Sequence, residues 1–279
     1  MSRTVRRGYV DAVAALTVVV LVAALWHAVA GDPAWLSVAG AWLVTAAAIA
    51  GAKLHVPRHP RTVDTVTLGL SGTAAVASVL LTRSAVAGAL SLAATAALLG
   101  YQRWYTRQHR PAPTLAVGDP LPDFPLQHAD GTPATSADLV GEPRVILFYR
   151  GSWCPFCVAQ VRSLAEQYRE LDRRGVKVAL VSPQPAHDTA ELATRFDVPM
   201  TFYVDPHGAA ARTLDLVQPG GVPLALGAGT DGDTVVPTVV ITDASGRVVW
   251  LQHSDDHRVR PVPSTFLEVI DSAGIGVAR

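Results

Sequence analysis

The sequence predicts an α-helical membrane region of four transmembrane helices over residues 1–110, followed by an α/β domain over residues 111–279. Three observations carry this. The first part holds four apolar runs, and a bilayer crossing needs about 20 apolar residues. Charge divides at the same place: 10 Lys+Arg stand against 3 Asp+Glu before it, a balance of +7, and 13 against 20 after it, a balance of −7. The second part alternates short apolar runs with amphipathic segments, and its 169 residues suffice for one domain with a core.

The four spans run from about Tyr9 to Ala30, Ala34 to Ala52, Val63 to Leu81 and Ser84 to Tyr101. The last two are rich in Ala, Gly, Ser and Thr and leave only Thr82-Arg83 for a tight hairpin. Small residues suit close helix packing in lipid, the reading adopted for Gly69-Leu70-Ser71-Gly72 and Ala87-Gly88-Ala89. Asp11, Asp32 and Asp64 sit near span ends, so nothing marks a transport path. Arg3, Arg6 and Arg7 precede the first span, Lys53, Arg58 and Arg61 fill the second loop, and Arg103, Arg107 and Arg110 follow the fourth. The positive-inside rule then places both termini, and the second domain, in the cytoplasm. Trp26 and Trp35 at the outer ends, with Tyr9, Tyr101, Trp104 and Tyr105 at the inner ends, fit aromatic belts. The first run is too long for a signal-peptide core and lacks a clear small-x-small cleavage site, so it is expected to stay.

After a tether around Pro111-Ala112-Pro113, residues 118–126 and the Asp130-Gly131 turn suggest a hairpin or extended arm. A strand over Arg144–Tyr149 leads to a helix from Cys154 to about Arg174, with Val158, Val161, Leu164, Tyr168 and Leu171 on one face and Gly175 as its stop. A strand over Val176–Val181, a helix over His187–Phe196 and a strand over Met200–Val204 follow. Val235–Thr242 and Arg247–His253 form a hairpin turned at Asp243-Ala244-Ser245-Gly246, and a last helix covers about Ser264–Ser272. This order predicts a mixed sheet with helices on both faces. The acidic balance and the absence of clustered Lys and Arg after Arg110 argue against a nucleic-acid surface.

The only two cysteines lie three residues apart in Arg150-Gly151-Ser152-Trp153-Cys154-Pro155-Phe156-Cys157, where a strand delivers a dithiol to a helix start. Unpaired N–H groups and the helix dipole favour the thiolate of Cys154, the expected nucleophile. Positions i and i+3 stand about 5–6 Å apart between Cβ atoms, so Cys157 can resolve a mixed disulfide formed at Cys154. A structural disulfide over so short a loop stabilises little, and zinc would need ligands as distant as His253 and His257, so no metal or cofactor is expected. Reducing conditions in the cytoplasm also favour a catalytic over a structural pair. Pro155 fits the first helical turn, where its missing N–H costs nothing. Trp153 is either an apolar platform beside the thiolate or core, and Arg150 either supports the thiolate or is a solvated strand end.

Three segments carry a resemblance: Phe148 to Cys157 as quoted, Val236-Pro237-Thr238 ahead of a strand, and Asp255-Asp256-His257-Arg258-Val259-Arg260-Pro261 before the last helix. Over about residues 115–275 the chain resembles the thioredoxin-like superfamily, and within it the redoxin (AhpC/TSA-type) group related to peroxiredoxins. The resemblance implies a thioredoxin-like fold, a redox-active Cys-x-x-Cys centre, and a cis Val236–Pro237 bond that turns a backbone edge toward Cys154 for docking. A trans proline at a strand start is the alternative. The chain also departs from its relatives. Peroxiredoxins place a Pro and a Thr or Ser ahead of the reacting cysteine in P-x-x-x-T-x-x-C, and Leu147 and Gly151 stand there. Their peroxide-polarising Arg is matched by Pro237, and the buried acid that serves the second cysteine of thioredoxins falls at Phe148.

The expected function is a membrane-anchored thiol–disulfide oxidoreductase using Cys154 and Cys157. Trp153, Pro155, Val236, Pro237 and Arg150 are expected to receive the partner, and a thiol donor to recycle the pair. The alternatives are a peroxiredoxin-like antioxidant peroxidase acting on hydroperoxides, and a membrane redox sensor.

Overall fold

The computed structural model describes residues 3–54, 60–82, 84–108, 114–226 and 232–276. Its contacts divide the chain into two compact units, one made of Met1–Arg107 with Val222–Gly232, the other of Gln108–Gly221 with Asp233–Arg279. The Pro111–Pro113 tether, Arg58, Arg83 and Arg110 lie outside the described residues.

Four helices form the first unit: α1 (Arg3–Val29), α2 (Leu36–Leu54), α3 (Pro60–Thr82) and α4 (Ala85–Gly100). All four are long and apolar enough, with their flanking turns, to cross a membrane. Large apolar side chains face outward as well as inward, with Trp42, Val38 and Leu98 fully buried. Val18, Val22, Leu80 and Val86 are more than 60% exposed, while Ala24, Ala41, Ala87, Ala94 and Thr45 are fully enclosed. Small side chains let helix backbones approach where dispersion rather than water exclusion drives packing. Gly88 is such a place, since a Cβ there would stand 3.1 Å from Val79. At Gly69 and Gly72 nothing lies within 4 Å of a Cβ, whereas Ser71 between them is fully enclosed and shares a hydrogen bond with Thr95 (3.1 Å), so the close contact of that segment runs through Ser71. Ser84 caps α4 by accepting from the Ala87 N–H, which is how a hairpin this tight starts a new helix. A π-turn, Tyr101–Tyr105, ends the region, with Tyr9 packed against Trp104 and Tyr105 and the Arg6 guanidinium over both of those rings.

The second unit is an α/β domain around a seven-stranded mixed sheet. Strands β1 (Pro125–His128) and β2 (Pro133–Thr135) form the expected hairpin, with Gly131 at φ +91° in its turn. Next come β3 (Arg144–Phe148), α5 (Pro155–Glu166), α6 (Tyr168–Arg173), β4 (Lys177–Ser182), α7 (Ala186–Ala193), β5 (Thr201–Val204) and α8 (Ala209–Thr213). The chain closes with β6 (Val217–Gln218), β7 (Thr234–Val235), β8 (Thr238–Thr242), β9 (Val248–His253) and α9 (Pro263–Ala273). The sheet order is β2-β1-β5-β4-β3-β8-β9, with β3, β4 and β5 parallel and the outer pairings antiparallel. Every residue of central β3 is buried; Ile146 and Phe148 enter one core cluster with Leu139, Val181 and Val240, and alternation sends Val145 and Leu147 to the other face.

Two expected elements are divided. The helix from Cys154 breaks at Gln167 (φ −98°, ψ 2°), though Leu164, Tyr168 and Leu171 remain buried across the break. The strand from Val235 breaks at Pro237, which cannot donate to a ladder; β7 pairs with β6 in a separate two-stranded sheet, and β8 starts at Thr238. No described peptide bond is cis, so the Val236–Pro237 bond is trans, against the resemblance. The trans form is intrinsically favoured by about 0.5–1 kcal/mol, and here it is accommodated in an extended entry to β8: the Val236 N–H donates to the Leu216 carbonyl (2.6 Å) and the Pro237 carbonyl accepts from Ser254 (3.2 Å).

Candidate active site

The dithiol sits where β3 hands the chain to α5. Gly151 adopts φ +150°, a region that side chains avoid, and a Cβ there would run into the Trp153 Nε1, 2.7 Å from its Cδ1 and 3.1 Å from the Gln184 Oε1. Gln184 fixes this turn from beyond β4: its Oε1 accepts from the Ser152 N–H (2.6 Å), while its Nε2 donates to Tyr149 (3.2 Å) and Thr189 (3.1 Å). Cys154 is the N-cap of α5, its carbonyl accepting from the Cys157 N–H (3.0 Å) and the Val158 N–H (3.1 Å). Pro155 occupies the first turn, as its fixed φ favours.

Both cysteines are free thiols and both are buried, Cys154 at 1% and Cys157 at 0% exposure. Their electrostatics put the resting charge on the second sulfur rather than the first. Burial pushes the Cys154 thiol up, helped by its hydrogen bond to Cys157 and by the charge there, against a weaker pull from Arg150 and Arg260. Burial opposes ionisation of Cys157 too. The hydrogen bond from Cys154, the Arg260 and Arg150 guanidinium groups and the Arg150 N–H outweigh it and hold Cys157 down to about 5. The Cys154 side chain makes no capping hydrogen bond to the helix, so the free N–H groups at the start of α5 do not serve its sulfur. Nearby, burial keeps the Tyr149 phenol neutral by raising it, with the Cys157 charge adding to that rise and Thr189 and Ser182 opposing it.

Arg150 is not a solvated strand end. It is 6% exposed, its guanidinium lies over the Trp153 ring at 4.7 Å to the centroid, and it donates to the Gly221 carbonyl. Its own carbonyl accepts from Thr234 (2.9 Å). Trp153 and Pro155 are half-buried and Trp153 is therefore neither core nor free surface. Val236 and Pro237 are buried. The β3–β8 register pairs Phe148 with Thr238, so its continuation sets Pro237 opposite Tyr149, at the end of the sheet that carries the cysteine loop. The Val236 N–H is already engaged with Leu216, which removes it as a docking donor. Gln184, Tyr149 and Arg260 were not expected at the site, although Arg260 lies in the Asp255–Pro261 segment that carries the resemblance. Gln184 and Arg260 reach the site from 32 and 103 residues away, and no local spacing announces them.

Residues 117–251 match the AhpC/TSA family. The 1-Cys peroxiredoxin PER1 of Hordeum vulgare is 28% identical over 115 residues, 38% of this chain and 52% of that protein. The thiol-disulfide oxidoreductase ResA of Oceanobacillus iheyensis is 30% identical over 113 residues, 38% of this chain and 56% of that protein. The chain thus spans about half the length of the curated relatives it matches. The crystal structure of peroxiredoxin 6 of Arenicola marina superposes with a TM-score of 0.50 at 18% identity, covering 57% of this chain and 74% of that one, a likeness of fold alone. Together with the mixed sheet and the dithiol at its end, these matches make residues 117–251 an AhpC/TSA redoxin domain of thioredoxin-like fold, preceded in the chain by four long apolar helices.

Proposed function

We propose that the chain is a membrane-anchored thiol–disulfide oxidoreductase, with a transmembrane region over residues 1–110 and a redoxin domain over 111–279. The carrying observation is the buried dithiol at the start of α5 with two guanidinium groups beside it. A proton crosses the hydrogen bond between the sulfurs, and the Cys154 thiolate attacks one sulfur of a protein or small-molecule disulfide. That bond breaks, a Cys154 mixed disulfide forms, and the first leaving thiolate takes up the proton that Cys157 had received, which returns Cys157 to its thiolate. Cys157 then attacks the Cys154 sulfur, forming the Cys154–Cys157 disulfide and expelling the second thiolate. Two electrons pass from the pair to the substrate, and an external thiol donor restores the dithiol. Half-exposed Trp153 and Pro155 offer the approach, while Arg150, Val236 and Pro237 back the site.

The helices serve as a multi-pass anchor. Arg3, Arg6, Arg7, Arg61, Arg103 and Arg107 support, through the positive-inside rule, an orientation with both termini and the redoxin domain in the cytoplasm. A reporter fused after Arg110 tests this: cytoplasmic signal is expected, and signal from the opposite side overturns the orientation.

A Cys157→Ser chain tests the reaction, because a Cys154 mixed disulfide should accumulate when the resolving sulfur is gone. Failure to trap any disulfide partner at Cys154, with wild-type reduction of model disulfides no faster than that by free cysteine, would sink the reading. Hydroperoxide reduction through a Cys154 sulfenic acid is the second reading, favoured by the peroxiredoxin relatives. Against it stand Leu147 and Gly151 where the family's Pro and Thr or Ser would be.

A further inference from the structure

The thioredoxin-type acid that would deprotonate the second cysteine is replaced here by Phe148, a buried apolar residue of β3. Something else must make Cys157 ready. The segment joining β9 to α9 supplies a cation. Arg260 places Nη2 3.7 Å from the Cys157 Sγ, across 103 residues of sequence, and the Nε of the same guanidinium is buried with no partner among the described residues. The segment is built to hold that pose. The Ser254 Oγ donates to the Val259 carbonyl (2.8 Å), Asp256 accepts from the Arg258 N–H (2.9 Å) and pairs with its guanidinium (2.8 Å), and the Arg260 Nη1 donates to the Val259 carbonyl (2.9 Å).

We propose that Arg260 holds Cys157 as a preformed thiolate, so that resolution of the mixed disulfide needs no general base. The inference rests on the dithiol reading above. Once Cys154 is tied up in a mixed disulfide, its hydrogen bond to Cys157 is gone, and the remaining support for the Cys157 charge is Arg260, with Arg150 and its N–H; Tyr149 is a neutral phenol and contributes no opposing charge. The Cys157 thiolate then attacks the Cys154 sulfur directly, the new S–S bond forms, and the leaving thiolate takes its proton from water. Stabilising the thiolate also favours the reduced pair, which makes the disulfide a stronger oxidant.

The test uses full-length Cys154→Ser protein in detergent, where Cys157 is the sole thiol, and follows thiolate absorbance at 240 nm against pH, with a Cys154→Ser/Cys157→Ser chain subtracted. The Cys157 midpoint should lie well below the ordinary cysteine value of about 8.5. Adding Arg260→Met should raise it by about one pH unit or more, and Arg260→Lys should restore most of the depression. An unchanged midpoint in Arg260→Met overturns the inference. A midpoint near 8.5 with Arg260 intact overturns it without any Arg260 variant, should that variant not fold. Because the readout is titration and not turnover, a depressed, Arg260-dependent midpoint in a chain that reduces no disulfide would leave this inference standing while the oxidoreductase reading fell.

Discussion

The guanidinium of Arg150 stacks on the Trp153 ring, 4.7 Å from its centroid, and so joins the last residue before the active loop to the residue before the first cysteine. The pair holds a buried cation beside two sulfurs, with no acidic partner among the described residues. Trp153→Ala should lower stability by about 1–2 kcal/mol, as expected for a desolvated cation–π contact, and Trp153→Phe by less. Thermal unfolding of the reduced chains measures both, and equal losses would show that ring packing on Arg150 is unimportant.

Gln184 and Gly151 set the shape of that loop. Gln184→Leu removes the acceptor of the Ser152 N–H and two donated bonds, and should destabilise by about 1–3 kcal/mol. Gly151→Ala forces a Cβ into Trp153 and the Gln184 carbonyl oxygen at a strained φ, so its disulfide reductase rate should fall by about tenfold or more. A Gly151→Ala chain with wild-type rate would show the loop to be malleable.

The shape of the loop was less legible in the sequence than its place. The apolar run expected as a strand to Tyr149, which ends one residue earlier at Phe148, Pro155 at a helix start and Gly175 past a helix end have local causes that place them. So does the Asp243–Gly246 turn, where the Asp243 carboxylate accepts from the N–H groups of Ser245 and Arg247. The two-residue strands β6 and β7 have no periodicity to read, and the break at Pro237 turns on the separate pairing it permits. The thiolate's location was hidden for another reason. Dipole position is a local property of Cys154, whereas the charge on Cys157 depends on Arg260, brought in by the fold from beyond the last strand.

Reduced-state stability should follow pH through Cys157. Its folded value, about 5, lies below the unfolded one of about 8.5, so its contribution is full above the unfolded value and is lost as pH falls toward 5. The melting-temperature advantage of the reduced wild type over Cys157→Ser should therefore shrink between about pH 8.5 and 5. Cys154, raised on folding, acts in the opposite sense: its contribution is present below the unfolded value and is lost as pH climbs through its folded one. A wild-type advantage that grows on acidification would contradict the assignment of the charge to Cys157.

Gly88 tests the helical unit separately. A Cβ there meets Val79 at 3.1 Å, between α3 and α4, whereas Gly69 and Gly72 face open space. Gly88→Leu should destabilise the detergent-solubilised chain by about 1–3 kcal/mol through overpacking, and Gly69→Leu should leave it nearly unchanged. Reversal of that order would place the small-residue contact elsewhere.

The central claim is a dithiol that reduces disulfides in preference to peroxides. Stopped-flow Trp fluorescence of the pre-reduced full chain, mixed in parallel with a model disulfide and with hydrogen peroxide, addresses it most directly, since Trp153 adjoins Cys154. The account predicts a fast change with the disulfide that Cys154→Ser abolishes, and a peroxide rate no better than that of a free cysteine thiolate. Peroxide oxidation orders of magnitude above that thiolate, with disulfides inert, would contradict it and make the chain a peroxidase.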